Sequence, residues 1–417
     1  MTTTEEHKKP TEPEQEPSLK PLYTRQVVNS FSSGMVSPFM GAYAVRLGAS
    51  PSDMGWFQSS TNISNNLMQV FWGRLSDSLK RRIPFIVAGT LFLSLLWIPM
   101  LFVANATQLI ILLAFQALIG SMATPAWTAL IGDLVPSHRL GRANSNINLW
   151  ASIGSLTATL ASGLLMIAIG GTLQQMLFIP FIVATVCGIT SSLVILKVKE
   201  KKNGQKLNLK QNLTSDILNI FRNARKTPSF LKYCYVDGTF EFFMSISWPL
   251  FSITQVTILK ASMLQIAILS FVQSFVIILF QGWAGKLADT IGRRPLLIFF
   301  RLSLVTVPLA YALVPDINAL ILIGIFWGFS QTLGTASVTA YLLDVTPEEY
   351  RGSFIAVYNL IIGIVTFAGS LIGGYLSNYL VGIFGLGIGL QIVYAVSVFG
   401  RGIGATLHLT LKETLKK

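Results

Sequence analysis

The stretch Gly73-Arg74-Leu75-Ser76-Asp77-Ser78-Leu79-Lys80-Arg81-Arg82 recurs as Gly285-Lys286-Leu287-Ala288-Asp289-Thr290-Ile291-Gly292-Arg293-Arg294, with Asp77 and Asp289 212 positions apart. A second pair keeps almost the same offset. Asp133-Leu134-Val135-Pro136, followed by Arg139, Gly141 and Arg142, returns as Asp344-Val345-Thr346-Pro347, followed by Arg351 and Gly352. Self-similarity at a fixed offset marks a duplicated unit. Both copies lie among apolar stretches of about 20 residues, the length a helix needs to cross a bilayer. These fall at 25–44, 53–75, 83–104, 107–132, 142–169 and 173–197, then at 229–257, 263–285, 295–314, 317–343, 352–380 and 386–411. The expectation is an all-α membrane protein of twelve transmembrane helices in two pseudo-symmetric six-helix bundles, with no strands.

Composition points the same way. Of 417 residues, 52% are hydrophobic and only 12% charged, against about a quarter charged in soluble domains, and the mean hydropathy is +0.60. The net charge of +13 does not imply nucleic acid, because the basic residues sit in short runs between apolar stretches. Of the 31 Lys and Arg residues, all but Arg46, Lys260, Arg301 and Arg401 lie in the tails or beside the loops after segments 2, 4, 6, 8 and 10. Positive loops stay in the cytoplasm, so both termini are expected there, in a multi-pass protein of the cell (plasma) membrane. Arg301 and Arg401 fall within segments 9 and 12, where snorkelling or structural pairing is expected.

Four regions follow. Residues 1–22 read as a disordered cytoplasmic tail, 23–197 as one six-helix bundle, 198–228 as a basic linker and 229–412 as the second bundle. The tail has no apolar run of the signal-peptide kind. Within the linker, Leu213, Ile217, Ile220 and Phe221 recur at helical spacing, as in a helix lying on the membrane surface. Cys187 and Cys234 lack metal-ligand spacing and read as packing residues.

The duplicated motif resembles the signature of the major facilitator superfamily, Gly-x-Leu-x-Asp-x-x-Gly-Arg-Lys/Arg after the second helix, over essentially residues 24–412. The first copy departs in having Lys80 at the second glycine. A glycine permits close helix contact, and a carboxylate beside arginines forms switchable charge pairs. The resemblance implies that this loop works as a cytoplasmic gate, a role carried onto Gly73, Asp77, Arg81, Gly285, Asp289 and Arg293, with Asp133, Arg142, Asp344 and Arg351 as neighbours. It also implies alternating access of a small-molecule substrate by a monomer.

An ionisable residue at membrane depth is a functional hypothesis by default. In Tyr235-Val236-Asp237-Gly238-Thr239-Phe240-Glu241 the two acids are four apart and share one helical face, with Glu241 roughly 18 Å deep at 1.5 Å per residue. Three roles compete: coupling to protons as Glu241 gains and loses one, contact with a cationic substrate, and pairing of Asp237 with Arg301 or Arg401. In segment 2, Gln58, Asn62, Asn65, Asn66 and Gln69 form a polar stripe that must avoid lipid. It either bonds to neighbouring helices or lines the cavity with Gln273 and Gln281. Asn29, Trp248 and Gln331 are further cavity candidates by resemblance. Drug:proton antiporters of the superfamily carry an arginine where this chain has Gln116, which weakens multidrug or lipophilic-cation efflux as the alternative. A uniporter or a solute-sensing receptor on the same fold stays open.

No enzyme is expected: His7, His138 and His408 lie in the tail or near cytoplasmic ends and form no constellation with other residues. No phosphate-binding Gly-x-x-x-x-Gly-Lys-Ser/Thr loop occurs, and no cofactor or metal is implied.

Overall fold

The computed structural model describes residues 19–79, 81–135, 139–198, 200, 226–347 and 351–415. The surface helix expected around Leu213–Phe221 and most of the tail lie outside these. The side chains of Asn65, Asp77 and Arg142 likewise lie outside the described residues.

Helices account for the described residues almost throughout, and no strand occurs among them. The first half comprises α1 (Lys20–Val36), α2 (Met40–Arg46), α3 (Pro51–Ile63), α4 (Gln69–Leu79), α5 (Ile83–Leu95), α6 (Trp97–Met100), α7 (Ala106–Gly120), α8 (Ala123–Leu134), α9 (Leu140–Ile169) and α10 (Leu173–Val194). The second comprises α11 (Pro228–Ile253), α12 (Met263–Ile291), α13 (Arg293–Leu313), α14 (Ile317–Val345), α15 (Arg351–Phe384) and α16 (Leu386–Leu407). The first helix begins at Lys20, inside the stretch expected to be a tail. Pro21 in its first turn, where the missing N–H costs nothing, favours that start.

The duplication reaches the helix caps. Ser50 caps α3 in a reciprocal box with Asp53, and Ser262, 212 residues on, caps α12 in the same way with Gln265. Asn105 and Asp316 cap α7 and α14 through the third backbone N–H. Before the first pair of caps the chain turns through a left-handed residue, Gly48 (φ 88°) in one half and Lys260 (φ 48°) in the other. Lys260 holds a conformation that favours glycine.

Among the described residues, nine helical stretches are long and apolar enough to cross a membrane. Three others, 20–46, 51–79 and 228–258, carry Asn29, the stripe from Gln58 to Gln69, and the acids Asp237 and Glu241, and are interrupted. A 3-10 turn lies at Ser37–Phe39, and π turns lie at Ser64–Met68 and Thr254–Ile258. Such interruptions loosen the helical ladder and recur at functional positions. Large apolar side chains such as Phe102, Leu313, Leu322 and Phe399 stand fully outward, as a lipid-facing surface requires.

The halves meet at the end away from the basic loops. There Arg46 donates to the Ala261 carbonyl (3.3 Å), Trp56 to the Tyr375 hydroxyl (3.0 Å) and Ser59 to the Phe367 carbonyl (2.9 Å). One apolar core crosses both halves at that end, from Met35, Phe39 and Met54 to Leu250, Ile253 and Tyr394. Toward the basic loops the cores separate. Leu22, Phe85 and Leu130 pack within the first half, and Phe230, Leu297 and Phe354 within the second. Backbones touch where α3 crosses α15: a Cβ on Gly374 would lie 2.8 Å from both Gly55 Cα and Pro51 O. Gly374→Val should therefore cost this closed end about 1–3 kcal/mol by overpacking. Ser252 of α11 packs against Gly41 of α2 at the same end, and in a Cys187→Ser, Cys234→Ser background Ser252→Cys should then react faster with a membrane-impermeant thiol reagent applied from that side. Unchanged labelling would show that the glycine contact does not hold the end shut.

Candidate functional site

The acids of α11 are joined by one guanidinium. Arg301, projecting from α13, donates through Nη2 to Asp237 Oδ1 (2.5 Å) and through Nη1 to Glu241 Oε1 (2.8 Å). Two acids one helical turn apart present their oxygens on one face, and the planar fork of arginine spans both. The ring of Phe240, between the two acids in sequence, lies 4.7 Å from the guanidinium carbon. Asp237 is fully buried and Arg301 is 2% exposed. Tyr358 of α15 donates to Asp237 Oδ2 (2.6 Å), and His408, in the turn after α16, brings Nε2 within 3.2 Å of Asp237 Oδ1. Four elements thus converge on one carboxylate.

Arg401 of α16 meets its burial differently. Its donors go to Ser397 Oγ (3.1 Å), the Leu304 carbonyl (2.7 Å), the Met244 carbonyl (3.0 Å) and Ser247 Oγ (2.6 Å). Charge-assisted bonds to carbonyls satisfy a guanidinium without a carboxylate. Arg301 and Arg401 are thus both held inside the bundle, and the snorkelling alternative is wrong for both. Arg25, which the sequence grouped with the basic tail, is buried as well: it donates to Thr90 Oγ1 (3.1 Å) and lies 4.3 Å over the Trp127 ring.

A cavity of about 340 Å³ opens beside the cluster, lined by Glu241, Trp248, Phe300, Arg301, Gln331 and Arg401 among others. The structure brings the expected Glu241, Trp248 and Gln331 together there, with Asp237 behind them. The other cavity candidates lie elsewhere. Gln273 packs on α14, its side chain against Gly324 and its backbone against Gly328, and Gln281 is exposed. Asn29, Gln58, Asn62 and Gln69 are half-buried in the first half, away from this lining. The amides of the stripe bond along their own helix, Gln58 to Asn62 Oδ1 (3.2 Å) and Asn66 to the Asn62 carbonyl (2.8 Å), while Gly363 of α15 backs onto Asn66. Gln116 donates to the Leu93 carbonyl (2.9 Å), a neutral use of the position.

His408 and Tyr358 were not singled out from the sequence. His408 was set aside as an end residue, yet it is fully buried. A usable signal was present: it lies seven residues after Arg401, two turns along the same helical face.

At the basic end each half holds a charge cluster. Arg293 pairs with Asp289 (3.3 Å) and Asp344 (3.2 Å), and Arg82 pairs with Asp133 (3.6 Å) and donates to Ser76 Oγ (3.1 Å). Arg82 and not Arg81 is the counterpart of Arg293, since both pairs then keep an offset of 211; Arg81 is exposed. Arg351 is exposed too. The close contact expected of the motif glycines is not found. A Cβ on Gly73 would meet Pro125 at an ordinary 3.4 Å, and one on Gly285 would meet open space. The clusters are tied off by two glutamates the sequence reading passed over. Glu200 accepts the Arg82 backbone N–H, and Glu413 accepts those of Arg293 (3.0 Å) and Arg294 (3.1 Å) at the start of α13. A carboxylate at a helix N-terminus is favoured by both the free N–H groups and the dipole.

Partial burial raises the Glu413 pKa, but the N–H groups of Leu415, Arg293, Arg294 and Thr414 outweigh it and hold the carboxyl below its ordinary value. Because the folded value is the lower one, this anchor is fully present above the ordinary glutamate range near ~4.3. It is lost as the pH falls through the folded value. Glu413→Gln keeps an acceptor but not the charge, a difference of about 1 kcal/mol. The Arg293 and Arg294 amides should therefore exchange hydrogen roughly fivefold faster, and wild type should show the same loosening only well below pH ~4. Equal protection in the variant would remove Glu413 from the anchor.

The family model described as Major Facilitator Superfamily matches residues 23–240 and 238–408. An uncharacterised MFS-type transporter of Methanocaldococcus jannaschii is 23% identical over 365 residues, 83% of this chain and 88% of the relative. Shorter matches include a galactose-proton symporter of Escherichia coli K12, 35% identical over 97 residues (23% of this chain, 19% of the relative). Another is the multidrug resistance protein MdtG of Escherichia fergusonii, 30% identical over 172 residues (40% of each). Among solved structures, a mutant of the nucleoside transporter NupG superposes with a TM-score of 0.73 at 14% identity, covering 94% of this chain and 99% of that one. A D-xylose-proton symporter superposes at 0.70 and 14% identity, covering 95% and 98%. With the motif duplicated, the caps repeated and both halves matched by one family model, the chain belongs to the major facilitator superfamily of secondary transporters.

Proposed function

We propose that this chain is a proton-coupled secondary transporter of a small solute, working by alternating access between its two halves. The nine apolar helices and the three interrupted ones make twelve crossings in this reading. In this reading the basic loops and both termini face the cytoplasm, which the distribution of Lys and Arg favours, and the membrane is the plasma membrane. The conformation described is then closed on the outer side and open inward. The charge pairs of Arg82 and Arg293 stand where the gate of the superfamily is expected.

The observation that carries the coupling is the sharing of Arg301 between a fully buried acid, Asp237, and a cavity-lining one, Glu241. When Glu241 takes a proton, Arg301 keeps Asp237 as its counter-charge. Protonation therefore changes what the cavity presents without breaking the cluster. Two guanidiniums and one carboxylate line the cavity, which disfavours a cation as the partner of Glu241. The relatives named for galactose-proton symport and for multidrug resistance support coupled transport and leave both import and export open. The aromatic lining by Trp248, Phe251 and Phe300 favours the multidrug reading as the alternative.

Proteoliposomes carrying an internal pH-sensitive dye test this against sugars, amino acids, organic acids and lipophilic cations. A solute that moves protons in wild type should move none above the empty-liposome level in Glu241→Gln, with solute exchange retained. Solute flux without proton movement in wild type, or an unaffected variant, would contradict coupling at Glu241.

A further inference from the structure

The two guanidiniums that line the cavity keep N–H donors to spare. Arg401 commits four of its five, through Nε to Ser397, through Nη1 to the Leu304 carbonyl and through Nη2 to the Met244 carbonyl and Ser247. One N–H of Nη1 is left. Arg301 gives Nη1 to Glu241 and Nη2 to Asp237, and its buried Nε has no partner. A buried donor without an acceptor is costly. A carboxylate, with two oxygens and a negative charge, suits guanidinium donors better than a neutral acceptor does.

Charge balance points the same way. The charged or titratable groups of the lining are Glu241 on α11, Arg301 on α13, Tyr358 on α15 and Arg401 on α16, with Asp237 behind them. While both acids are ionised they offset both arginines. With Glu241 neutral, as the proton-coupled reading requires for part of the cycle, one positive charge is left over at membrane depth, and a single anion restores the balance. The repeat itself does not demand these charges. Asn29 stands 212 positions before Glu241 and Gly188 stands 213 before Arg401, so the first half folds with neutral residues at both places.

The rest of the wall is apolar and flat-sided. Trp248, Phe251 and Phe300 line it, and Phe251 is backed by the stacked ring of Tyr311, with centroids 4.3 Å apart. A planar apolar body packs well on such a surface.

We infer that the solute is an organic monoanion, an aromatic carboxylate whose carboxyl group takes the spare donors of Arg301 and Arg401 and whose ring packs on Trp248, Phe251 and Phe300. The neutral state of Glu241 is taken from the proton-coupled reading; the spare donors and the aromatic wall stand without it. An ionised Glu241 repels the anion and a neutral one admits it.

Calorimetric titration of the full-length protein in nanodiscs at pH 7.5, with empty nanodiscs as the blank, tests this with one skeleton in several charge states. The ligands are 3-phenylpropanoate, its amide, 3-phenylpropylamine and the zwitterion phenylalanine, with propanoate as the acid lacking a ring. In Glu241→Gln, which holds that position neutral, 3-phenylpropanoate should bind about tenfold or more tighter than its amide and than propanoate, as expected for a charge-assisted contact and an aromatic one. Wild type should show the same order, with the carboxylate about tenfold weaker than in the variant because a like charge opposes it. Arg401→Gln should remove the preference for the carboxylate over the amide. Equal binding of carboxylate and amide in Glu241→Gln would overturn the inference and needs no Arg401 variant. A preference for the amine, the order the lipophilic-cation alternative requires, or for phenylalanine would overturn it as well. If the carboxylate binds in this order and no solute moves protons in the dye assay, the coupled reading fails and the anion site stands. If another solute moves protons and the carboxylate shows no preference, the anion site fails and the coupled reading stands.

Discussion

A guanidinium buried at membrane depth must be compensated where it stands, by carboxylates as at Arg301 or by carbonyl and hydroxyl oxygens as at Arg401, and Arg301 is the group around which the second half is arranged. Moving an ion out of water costs several kcal/mol even after relaxation, and removing one partner of a buried pair leaves a charge with no compensation. Two acids on α11 therefore have to sit where one fork on α13 can reach both. That requirement fixes the rotation of α11, which in turn aims Asp237 at Tyr358 and His408. The cavity forms at the exposed flank of this cluster, so what lines it follows from how the charge is compensated.

The same logic separates the two kinds of charge in the molecule. Inside the bundle, Arg301 donates to two carboxylates and Arg401 to carbonyls and hydroxyls. At the basic end, Arg82 and Arg293 pair with partly exposed aspartates, where each pair is worth little alone. Weak, repeated pairs suit a contact that opens and closes, and a strong buried cluster suits a site whose geometry must survive that motion. The apolar core that crosses both halves lies at the opposite end, with close backbone contacts such as Gly55 on Gly374.

Much of this was legible in the residues. The duplicated Gly-x-Leu-x-Asp motif located the charge clusters, and hydropathy placed the helices to within a few residues. The i, i+4 spacing of Asp237 and Glu241 singled out the acids, and Arg301 and Arg401 were already named as ionisable residues within spans. What the sequence left open was the partner of each charge, because that depends on how helices distant in the chain are rotated about their axes. Arg81 and Arg82 are adjacent and both basic, and only the fold shows that Arg82 reaches Asp133. The amides of the segment around Asn62 were open to two readings, bonds to neighbouring helices or cavity lining. A helical carbonyl one turn away satisfies Asn66 instead, a local solution that periodicity does not distinguish. His408 was misplaced for a related reason: its position near a helix end suggested exposure, although its spacing from Arg401 put it on the same helical face, and the end of α16 turns it inward onto Asp237.

The central claim is that compensation of Arg301 by Asp237 and Glu241 holds these helices together. Urea or thermal unfolding of the purified protein in detergent tests it most directly, comparing Arg301→Met with the combined Arg301→Met, Asp237→Asn, Glu241→Gln. The single variant should lose about 3–5 kcal/mol, because two buried carboxylates are left without their counter-charge, and the combined variant should recover most of that loss. A single variant as stable as wild type, or a combined variant no better than the single one, would contradict the account.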